Sequence, residues 1–397
     1  MIRRLALVVL AAVMVLSACD SLNTEPRPDC HMVLLYSASY NNGLSSAASQ
    51  CLQSLKCEYL PEMSDPSKVF LTYYHLDATA ATLARLSRND KGEFIEERLV
   101  TYPSTTNSIE PETLTQILSD AKRLFPSNRS DLIISTHGTG FVPVQFVNIG
   151  GISEANLLTK GSDIKALGPE DNTCIDIKDF TRAIQGTFFD NIIFDCCFMS
   201  GIEVAYELKE ACNHIIAAPT EVVSAGMTQP VFLDILFNVD QERIPGELCK
   251  VYMDAVRTNP AYSKSGTVAA IDCSGLESVA SACKEVFSTC RKRLDTLNIS
   301  SIQKYFREQS QAWFYDLDDF VFNLASDRDS LVHPELYENF TRGLGEAVIY
   351  KDATDEFLGL KITHYSGVSS YIPDRNHTGI NEEYKSLAWN KATGLVY

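Results

Sequence analysis

The hydrophobic pattern of this chain alternates between short apolar runs and longer amphipathic segments. The runs at residues 31–39, 68–74 and 96–101 have the length and the polar boundaries of strands. Residues 44–55 and 109–125 carry apolar side chains at helical spacing, which indicates helices. Strands that alternate with helices in this way predict an α/β fold with a mostly parallel sheet that is covered by helices on both faces.

Two further apolar runs end abruptly in reactive side chains. Residues 131–135 lead into His137, and residues 191–194 lead into an acid and two adjacent thiols, of which the second is Cys197. Because parallel strands end at the same edge of a sheet, we expect His137 and Cys197 to lie close together in the crevice at that edge. A thiol beside a histidine is the arrangement that a nucleophilic cysteine requires.

Neighbouring residues supply the other parts of such a site. Gly138 has no Cβ, so a substrate carbonyl can approach its N–H, and with the N–H of Cys197 it forms the predicted oxyanion hole. Asp195 lies two residues before Cys197, and strand alternation turns both side chains to one face. Cys196 then faces the opposite side, which makes Cys197 the candidate nucleophile.

These motifs resemble those of the clostripain-like cysteine peptidases, a family with the caspase and gingipain type of fold. The family pattern is a strand into His-Gly, then a strand into Asp-Ala-Cys-Leu-Met, followed by Glu-x-Ala-Tyr-Glu-Leu. This chain has Asp-Cys-Cys-Phe-Met at residues 195–199 and Glu-Val-Ala-Tyr-Glu-Leu at residues 203–208. The resemblance makes His137 the base and Cys197 the nucleophile. It departs from the family at Cys196, where the family has alanine.

The resemblance implies cleavage of peptides or proteins after Arg or Lys. In the family, the residue at the position of Asp195 is associated with basic selectivity, because a buried acid pairs with a basic side chain. Glu221, just beyond a strand predicted at residues 214–219, is a second candidate for the substrate pocket, and an ordinary surface carboxylate is the alternative. This chemistry needs no metal or organic cofactor.

Calcium enters only by analogy, because some relatives require it. Asp316, Asp318 and Asp319 are the acids that suggest a site, but they lack the spaced oxygen ligands and the glycine of a calcium loop. We therefore expect a solvated helix end there and identify no ligand set.

A long connection at residues 141–172 joins the two strands that carry the candidate dyad. Enzymes of the resembling family are commonly cleaved in this region into two chains that stay associated. Lys160 and Lys165 are the basic residues placed for such processing, and a solvated surface loop is the alternative.

The character of the sequence changes after residue 237. Helices are predicted at residues 244–256, 274–294 and 300–314, and strands at residues 266–271, 358–363 and 368–372. We therefore expect a peptidase domain at residues 31–240 and a C-terminal helical and β extension at residues 241–397 that packs on it. The family resemblance covers about residues 31–397.

The first residues have the features of an export signal. Two arginines precede an uncharged run that ends at residue 18 and is too short to span a membrane. The residues before Cys19 resemble a bacterial lipoprotein signal, which implies that Cys19 carries the lipid and that residues 19–30 form a tether. An ordinary signal peptide with a chance cysteine is the alternative. The expected location is the bacterial cell envelope, anchored in its membrane.

Charge and cysteine content narrow the partners. The formal net charge of −17 argues against nucleic acid as a partner. The twelve cysteines show no zinc-binding spacing, and the sequence does not assign disulfides. Two other functions stay open: a non-catalytic surface lipoprotein that binds peptide or glycan, and a thiol redox protein that uses Cys196 and Cys197.

Overall fold

A single twisted sheet organises the chain in the computed structural model, which describes residues 27–40, 44–142, 164–165, 175–229, 231–307, 313–327 and 330–397. Its strands, numbered β1 to β9, are Arg27–Ala38, Lys68–His75, Ala81–Arg88, Phe94–Tyr102, Ser127–Ser135, Phe189–Asp195, Cys212–Ala217, Thr267–Asp272 and Val348–Ala353. The helices of the same residues, α1 to α12, are Ser45–Leu55, Pro111–Leu124, Ile177–Ile184, Ile202–Leu208, Phe232–Asn238, Ile244–Thr258, Leu276–Thr289, Arg291–Leu294, Leu317–Ala325, Pro334–Ala347, Thr378–Tyr384 and Ala388–Thr393.

The strand order across the sheet is β9-β8-β7-β6-β5-β1-β2-β3-β4. The five central strands, from β7 to β2, run parallel to one another. Two antiparallel strands complete the sheet at each edge. The central strands are buried on both faces, as their uninterrupted apolar runs indicate. This architecture confirms the predicted fold class.

Amphipathic helices cover the sheet because each has an apolar stripe to bury. In α2 the stripe predicted from the sequence includes Leu114, Ile117, Leu118 and Ala121, and all four are buried. Helices α2, α3 and α4 pack side by side, and α12 and α7 continue this layer. Helix α6 packs against β7, β8 and β9.

The N-terminal and C-terminal segments join the sheet more closely than the sequence indicated. Strand β1 begins at Arg27, so residues 27–30 of the expected tether lie in the strand and Cys30 is buried. Strands β8 and β9 come from the expected C-terminal extension and form one edge of the same sheet. Among the described residues, no helix combines the length and apolar character that crossing a bilayer requires. The expected signal at residues 1–18 and Cys19 lie outside the described residues.

The prediction of a helix at residues 300–314 is wrong. Instead, the N–H of Tyr305 donates to the carbonyl of Phe314 at 2.8 Å, and the N–H of Asp316 donates to the carbonyl of Gln303 at 2.8 Å. The apolar residues of this segment occur at helical intervals, but tertiary packing draws its two ends into an antiparallel pair. The strands expected near the C-terminus are reduced to the two-residue pieces Leu360–Lys361 and Ser369–Ser370.

Candidate active site

The two strands that carry the candidate dyad are neighbours in exact register. Ser135 and Asp195 are the last paired residues of β5 and β6, and Ser135 Oγ donates to Asp195 Oδ2 at 2.9 Å. His137 and Cys197 each lie two residues beyond this pair. The parallel register therefore places both residues at the carboxyl edge of the sheet.

Gly138 lies directly against the backbone of Cys197. A methyl group placed on Gly138 would be 2.3 Å from the carbonyl oxygen of Cys197 and 3.0 Å from its nitrogen, which no side chain tolerates. Glycine is therefore the residue that this close approach requires. The two segments that carry the candidate dyad touch at this point, with His137 5% exposed and Cys197 fully buried.

The two adjacent thiols contact different parts of the protein. The N–H of Val222 donates to Cys197 Sγ at 3.2 Å. Cys196 Sγ instead lies 3.4 Å from the carbonyl oxygen of Ile134, in β5. Successive residues thus turn in opposite directions, which agrees with the register argument for Cys197.

The chain turns sharply after Cys197, through a conformation that the sequence did not indicate. Phe198 has a φ of 60°, which is unusual for a bulky residue. Its N–H donates to the carbonyl of Thr220 at 2.9 Å, and its ring stacks on Phe314 at a centroid distance of 4.4 Å. These contacts hold the turn that presents the candidate nucleophile.

Asp195 lies at the wall of a small pocket with a cavity volume of about 30 Å³. The carboxylate is 3% exposed and accepts hydrogen bonds from Ser135 Oγ and from the N–H of Met227. The remaining wall is mainly small or apolar; it includes Leu44, Ala47, Ala48, Ser224, Ala225 and Gly226. The pocket thus combines a buried acid with a mainly small or apolar wall.

Glu221 is not a surface carboxylate. Its side chain is 2% exposed, and Oε1 accepts from Nε of Arg307 at 2.8 Å. Arg307 lies 86 positions further along the chain, and no sequence pattern indicated this pair. The acid considered for the substrate pocket is therefore already engaged by a cation of the same chain.

A further buried acid, Glu203, joins the helix after the candidate nucleophile to the C-terminal segment. Glu203, in the first turn of α4, is fully buried, and its Oε1 accepts from the N–H of Tyr371 at 2.8 Å and the hydroxyl of Tyr384 at 2.7 Å. Burial raises the pKa of this carboxyl above its ordinary value. The N–H of Ser369 also donates to the carbonyl of Ser200 at 2.9 Å. The C-terminal segment is thereby docked on the start of α4.

Within the connection between β5 and β6, the described residues 164–165 lie beside a segment that contacts the candidate nucleophile. The two-residue strand Ile164–Lys165 pairs antiparallel with Val222–Val223, and Lys165 is the register partner of Val222. Val222 is also the residue whose N–H contacts Cys197 Sγ. Lys160, the other predicted processing residue, lies outside the described residues.

The acids considered for calcium serve a structural role. Asp316 is buried rather than solvated, because it is the N-cap of α9 and accepts from the N–H of Asp319 at 2.9 Å and the N–H of Ser366 at 2.6 Å. Across the part of the chain that the structure describes, no group of three or more His, Cys, Asp or Glu side chains is arranged to hold a metal.

Comparison with known proteins agrees with this geometry. The model of the clostripain family, peptidase family C11, matches residues 46–394. The inactive zymogen of a C11 protease from Parabacteroides distasonis is 27% identical; the match covers 91% of this chain and 97% of that one, with a TM-score of 0.75. Iotapain, a secreted C11 cysteine protease from Bacteroides thetaiotaomicron, is 24% identical over 93% of this chain and 100% of that one, with a TM-score of 0.73, which shows a shared fold. No curated protein sequence matches the chain.

The fold and the family match together define a cysteine peptidase. This chain belongs to the clostripain family.

Proposed function

We propose that this protein is an endopeptidase that cleaves after Arg or Lys through a dyad of His137 and Cys197. The observation that carries the proposal is the shared two-residue offset of His137 and Cys197 beyond the register pair Ser135 and Asp195. The contact of Gly138 with the Cys197 backbone supports it, since it joins the two segments directly.

The arrangement suits acyl transfer. His137 takes the proton of the Cys197 thiol, the resulting thiolate attacks the substrate carbonyl, and the N–H groups of Gly138 and Cys197 hold the developing oxyanion. His137 gives its proton to the leaving amine as the peptide bond breaks. Water then attacks the thioester, releases the acid product and restores the thiol. The N–H of Val222 orients the sulfur, and its hydrogen bond to the sulfur becomes stronger when Cys197 is a thiolate.

Selectivity for a basic P1 residue rests on Asp195. Its pocket offers apolar wall to the methylene stem of Arg or Lys and a carboxylate to the charged end. A neutral P1 side chain in the same pocket forms no ion pair with Asp195 and therefore binds less tightly than Arg or Lys. Glu221 is the second candidate for this role, but its pairing with Arg307 favours Asp195.

Activation by cleavage at Lys160 or Lys165 is part of the proposal. The pairing of Lys165 with Val222 supports it, because Val222 is the residue whose N–H contacts Cys197 Sγ. The Parabacteroides distasonis relative is described as an inactive zymogen, which agrees with a chain that requires activation.

We also propose export and attachment to the envelope through a lipid on Cys19. The signal-like N-terminus supports export, and the Bacteroides thetaiotaomicron relative is described as secreted. Cys19→Ser is expected to move the processed protein from the detergent phase to the aqueous phase on detergent partitioning. The N-terminal mass of each form must show that the signal was removed. A processed variant that stayed in the detergent phase would contradict the lipid.

Covalent labelling tests the function directly. An irreversible inhibitor with an Arg or Lys at P1 is expected to add one equivalent to the activated protein, and peptide mapping is expected to place it on Cys197. Cys197→Ala is expected to remain unlabelled. A wild-type protein that takes up no inhibitor and cleaves no peptide would favour the non-catalytic binding function. Reversible formation of a disulfide between Cys196 and Cys197, without cleavage, would favour the redox function.

A further inference from the structure

In the ion pair between Glu221 and Arg307, the terminal nitrogens of the guanidinium have no hydrogen-bond partner among the described residues. Only Nε of Arg307 bonds to Glu221, at 2.8 Å. Within the described residues, Nη1 and Nη2 make no hydrogen bond. The Arg307 side chain is 29% exposed, whereas that of Glu221 is 2% exposed. The pair is therefore anchored at its buried end and open at its outer end.

The two segments that carry this ion pair both contact the turn at the candidate nucleophile. Glu221 stands between Thr220, whose carbonyl accepts from the N–H of Phe198 at 2.9 Å, and Val222, whose N–H donates to Cys197 Sγ at 3.2 Å. The residue before Arg307, Phe306, packs its ring against that of Phe198 at 5.6 Å. Both partners of the ion pair are thus adjacent in sequence to residues that contact the turn at Cys197.

The charges define what this group can bind. A buried carboxylate needs a cation or hydrogen-bond donors, and Arg307 provides both to Glu221. A P1 Arg or Lys that used Glu221 would have to displace Arg307 and leave it unpaired. The fixed fork of an arginine, held by Nε, instead presents two terminal nitrogens that suit a carboxylate.

We propose that Arg307 is a specificity-determining residue that binds an acidic side chain of the substrate close to the scissile bond. Glu221 acts as its positioning residue rather than as the acid of the P1 pocket. This inference rests on the proposed function. It assigns the site a preference for two substrate side chains: a basic P1 residue that binds Asp195, and an acidic residue at a neighbouring position that binds Arg307.

Matched peptides test the inference on the full-length activated protein. P1 is held as Arg, and each of P3, P2, P1′ and P2′ carries in turn Asp, Asn, Glu or Gln. The wild type is expected to prefer acid over amide by about fivefold in kcat/KM at one of these positions, which corresponds to about 1 kcal/mol. Arg307→Gln is expected to abolish this preference while keeping the P1 Arg-to-Gln ratio. Arg98→Gln, on edge strand β4 with a 70% exposed side chain, is the matched control and is expected to retain both.

Two further variants keep the test decisive. Arg307→Lys covers the case in which Arg307→Gln does not fold. It is expected to lose most of the preference, because an ammonium bound to Glu221 lacks the planar pair of terminal N–H groups that would bind a second carboxylate. Glu221→Gln is expected to weaken the acid preference mainly through KM, as loss of positioning would.

The following results would overturn the inference. One is a wild type without an acid preference at any position, and another is an Arg307→Gln variant that keeps the preference. Arg307→Gln could instead raise the ratio of kcat/KM for P1 Arg to kcat/KM for P1 Gln. If adding Glu221→Gln reversed that rise, Glu221 would be a P1 acid that Arg307 masks in the wild type. A wild type that cleaves no P1 Arg peptide and is not labelled at Cys197 would overturn the proposed function and this inference together.

Discussion

The backbone N–H of Val222 donates to the sulfur of Cys197 at 3.2 Å, whereas the sulfur of Cys196 lies against the carbonyl of Ile134. Two adjacent cysteines therefore have different surroundings. One contacts the segment after β7 and the other contacts β5. This difference is the basis for treating the two thiols separately in experiments.

Cys197→Ala and His137→Ala are each expected to lower kcat/KM for P1 Arg peptides by roughly three orders of magnitude or more, because members of a catalytic unit fail together. Cys196→Ala is expected to keep most of the activity, since its thiol faces Ile134. Steady-state hydrolysis of one fluorogenic P1 Arg peptide measures all three. Activity that disappears in Cys196→Ala and persists in Cys197→Ala would reverse the assignment of the nucleophile.

Gly138→Ala is expected to lose activity and to destabilise the fold by about 1–3 kcal/mol, as overpacking does. The added methyl group would lie 2.3 Å from the Cys197 carbonyl oxygen, so the segments that carry His137 and Cys197 must separate. Gly345→Ala is the control, because nothing lies within 4 Å of the added methyl group in helix α10. That change is expected to leave activity intact and to stabilise the helix slightly. Urea unfolding and peptide hydrolysis of both variants provide the comparison, and equal behaviour would contradict the close approach.

Asp195→Asn is expected to lower kcat/KM for P1 Arg and Lys by two or more orders of magnitude relative to P1 Gln and Leu. Breaking a buried ion pair typically costs about 3–5 kcal/mol, and each factor of ten corresponds to about 1.4 kcal/mol. Glu210→Gln, at an exposed carboxylate, is the matched control. An Arg-to-Gln ratio that does not change in Asp195→Asn would assign basic selectivity to another residue.

Lys160→Ala combined with Lys165→Ala is expected to leave the purified protein as one chain and to slow labelling of Cys197 by the basic inhibitor. Gel electrophoresis and N-terminal sequencing of the fragments locate the cleavage site in the wild type. Lys178→Ala, in helix α3 beyond this connection, is the control and is expected to process normally. Full-rate labelling of an uncut double variant would show that cleavage is not needed for access to the thiol.

Glu203→Gln is expected to change how stability depends on pH. The pKa of Glu203 is raised above its ordinary value of 4.5 by burial, so the folded protein favours the neutral acid. The free energy of unfolding of the wild type therefore falls relative to that of the variant as the pH rises from about 4.5 through the raised pKa of Glu203. Above that pKa the difference between the two proteins is constant. Oε1 accepts from Ser370, Tyr371 and Tyr384, while Oε2 has no hydrogen-bond partner among the described residues, and a glutamine matches that neutral form closely.

Urea unfolding of wild type and Glu203→Gln between pH 4 and pH 8 measures this difference, and subtraction cancels groups that both proteins share. Glu207→Gln provides a second acid in the same helix, with a partly exposed contact to the N–H of Ala388. A difference between wild type and Glu203→Gln that grows in favour of wild type as pH rises would contradict a neutral Glu203.

The parts of the fold that depend on local pattern were predictable from the sequence. Strands β5 and β6 have long apolar runs, and their shared edge followed from the rule that parallel strands end together. Strand β3 was missed because Ala81–Arg88 mixes small, basic and apolar residues and is stabilised by its two antiparallel neighbours. Its burial depends on those neighbours more than on its own composition.

The parts of the site that depend on distant contacts were not predictable. The partner of Glu221 lies at Arg307, and nothing in either local sequence links the two. The positive φ of Phe198 is likewise imposed by its surroundings, since phenylalanine does not favour it. Glu203 was recognised only as part of a motif, whereas its burial arises from Tyr371 and Tyr384 in the last thirty residues.

The strained turn at Phe198 has a consequence for the order in which the enzyme matures. A left-handed conformation at a non-glycine residue costs roughly 1–2 kcal/mol, and the contacts of Phe198 with Thr220 and Phe314 offset it. Phe314 is made more than one hundred residues after Phe198. A growing chain that has emerged only as far as β7 therefore lacks the contacts that shape its reactive loop. The conformation of this turn is therefore completed only when a residue from the last third of the polypeptide packs on it.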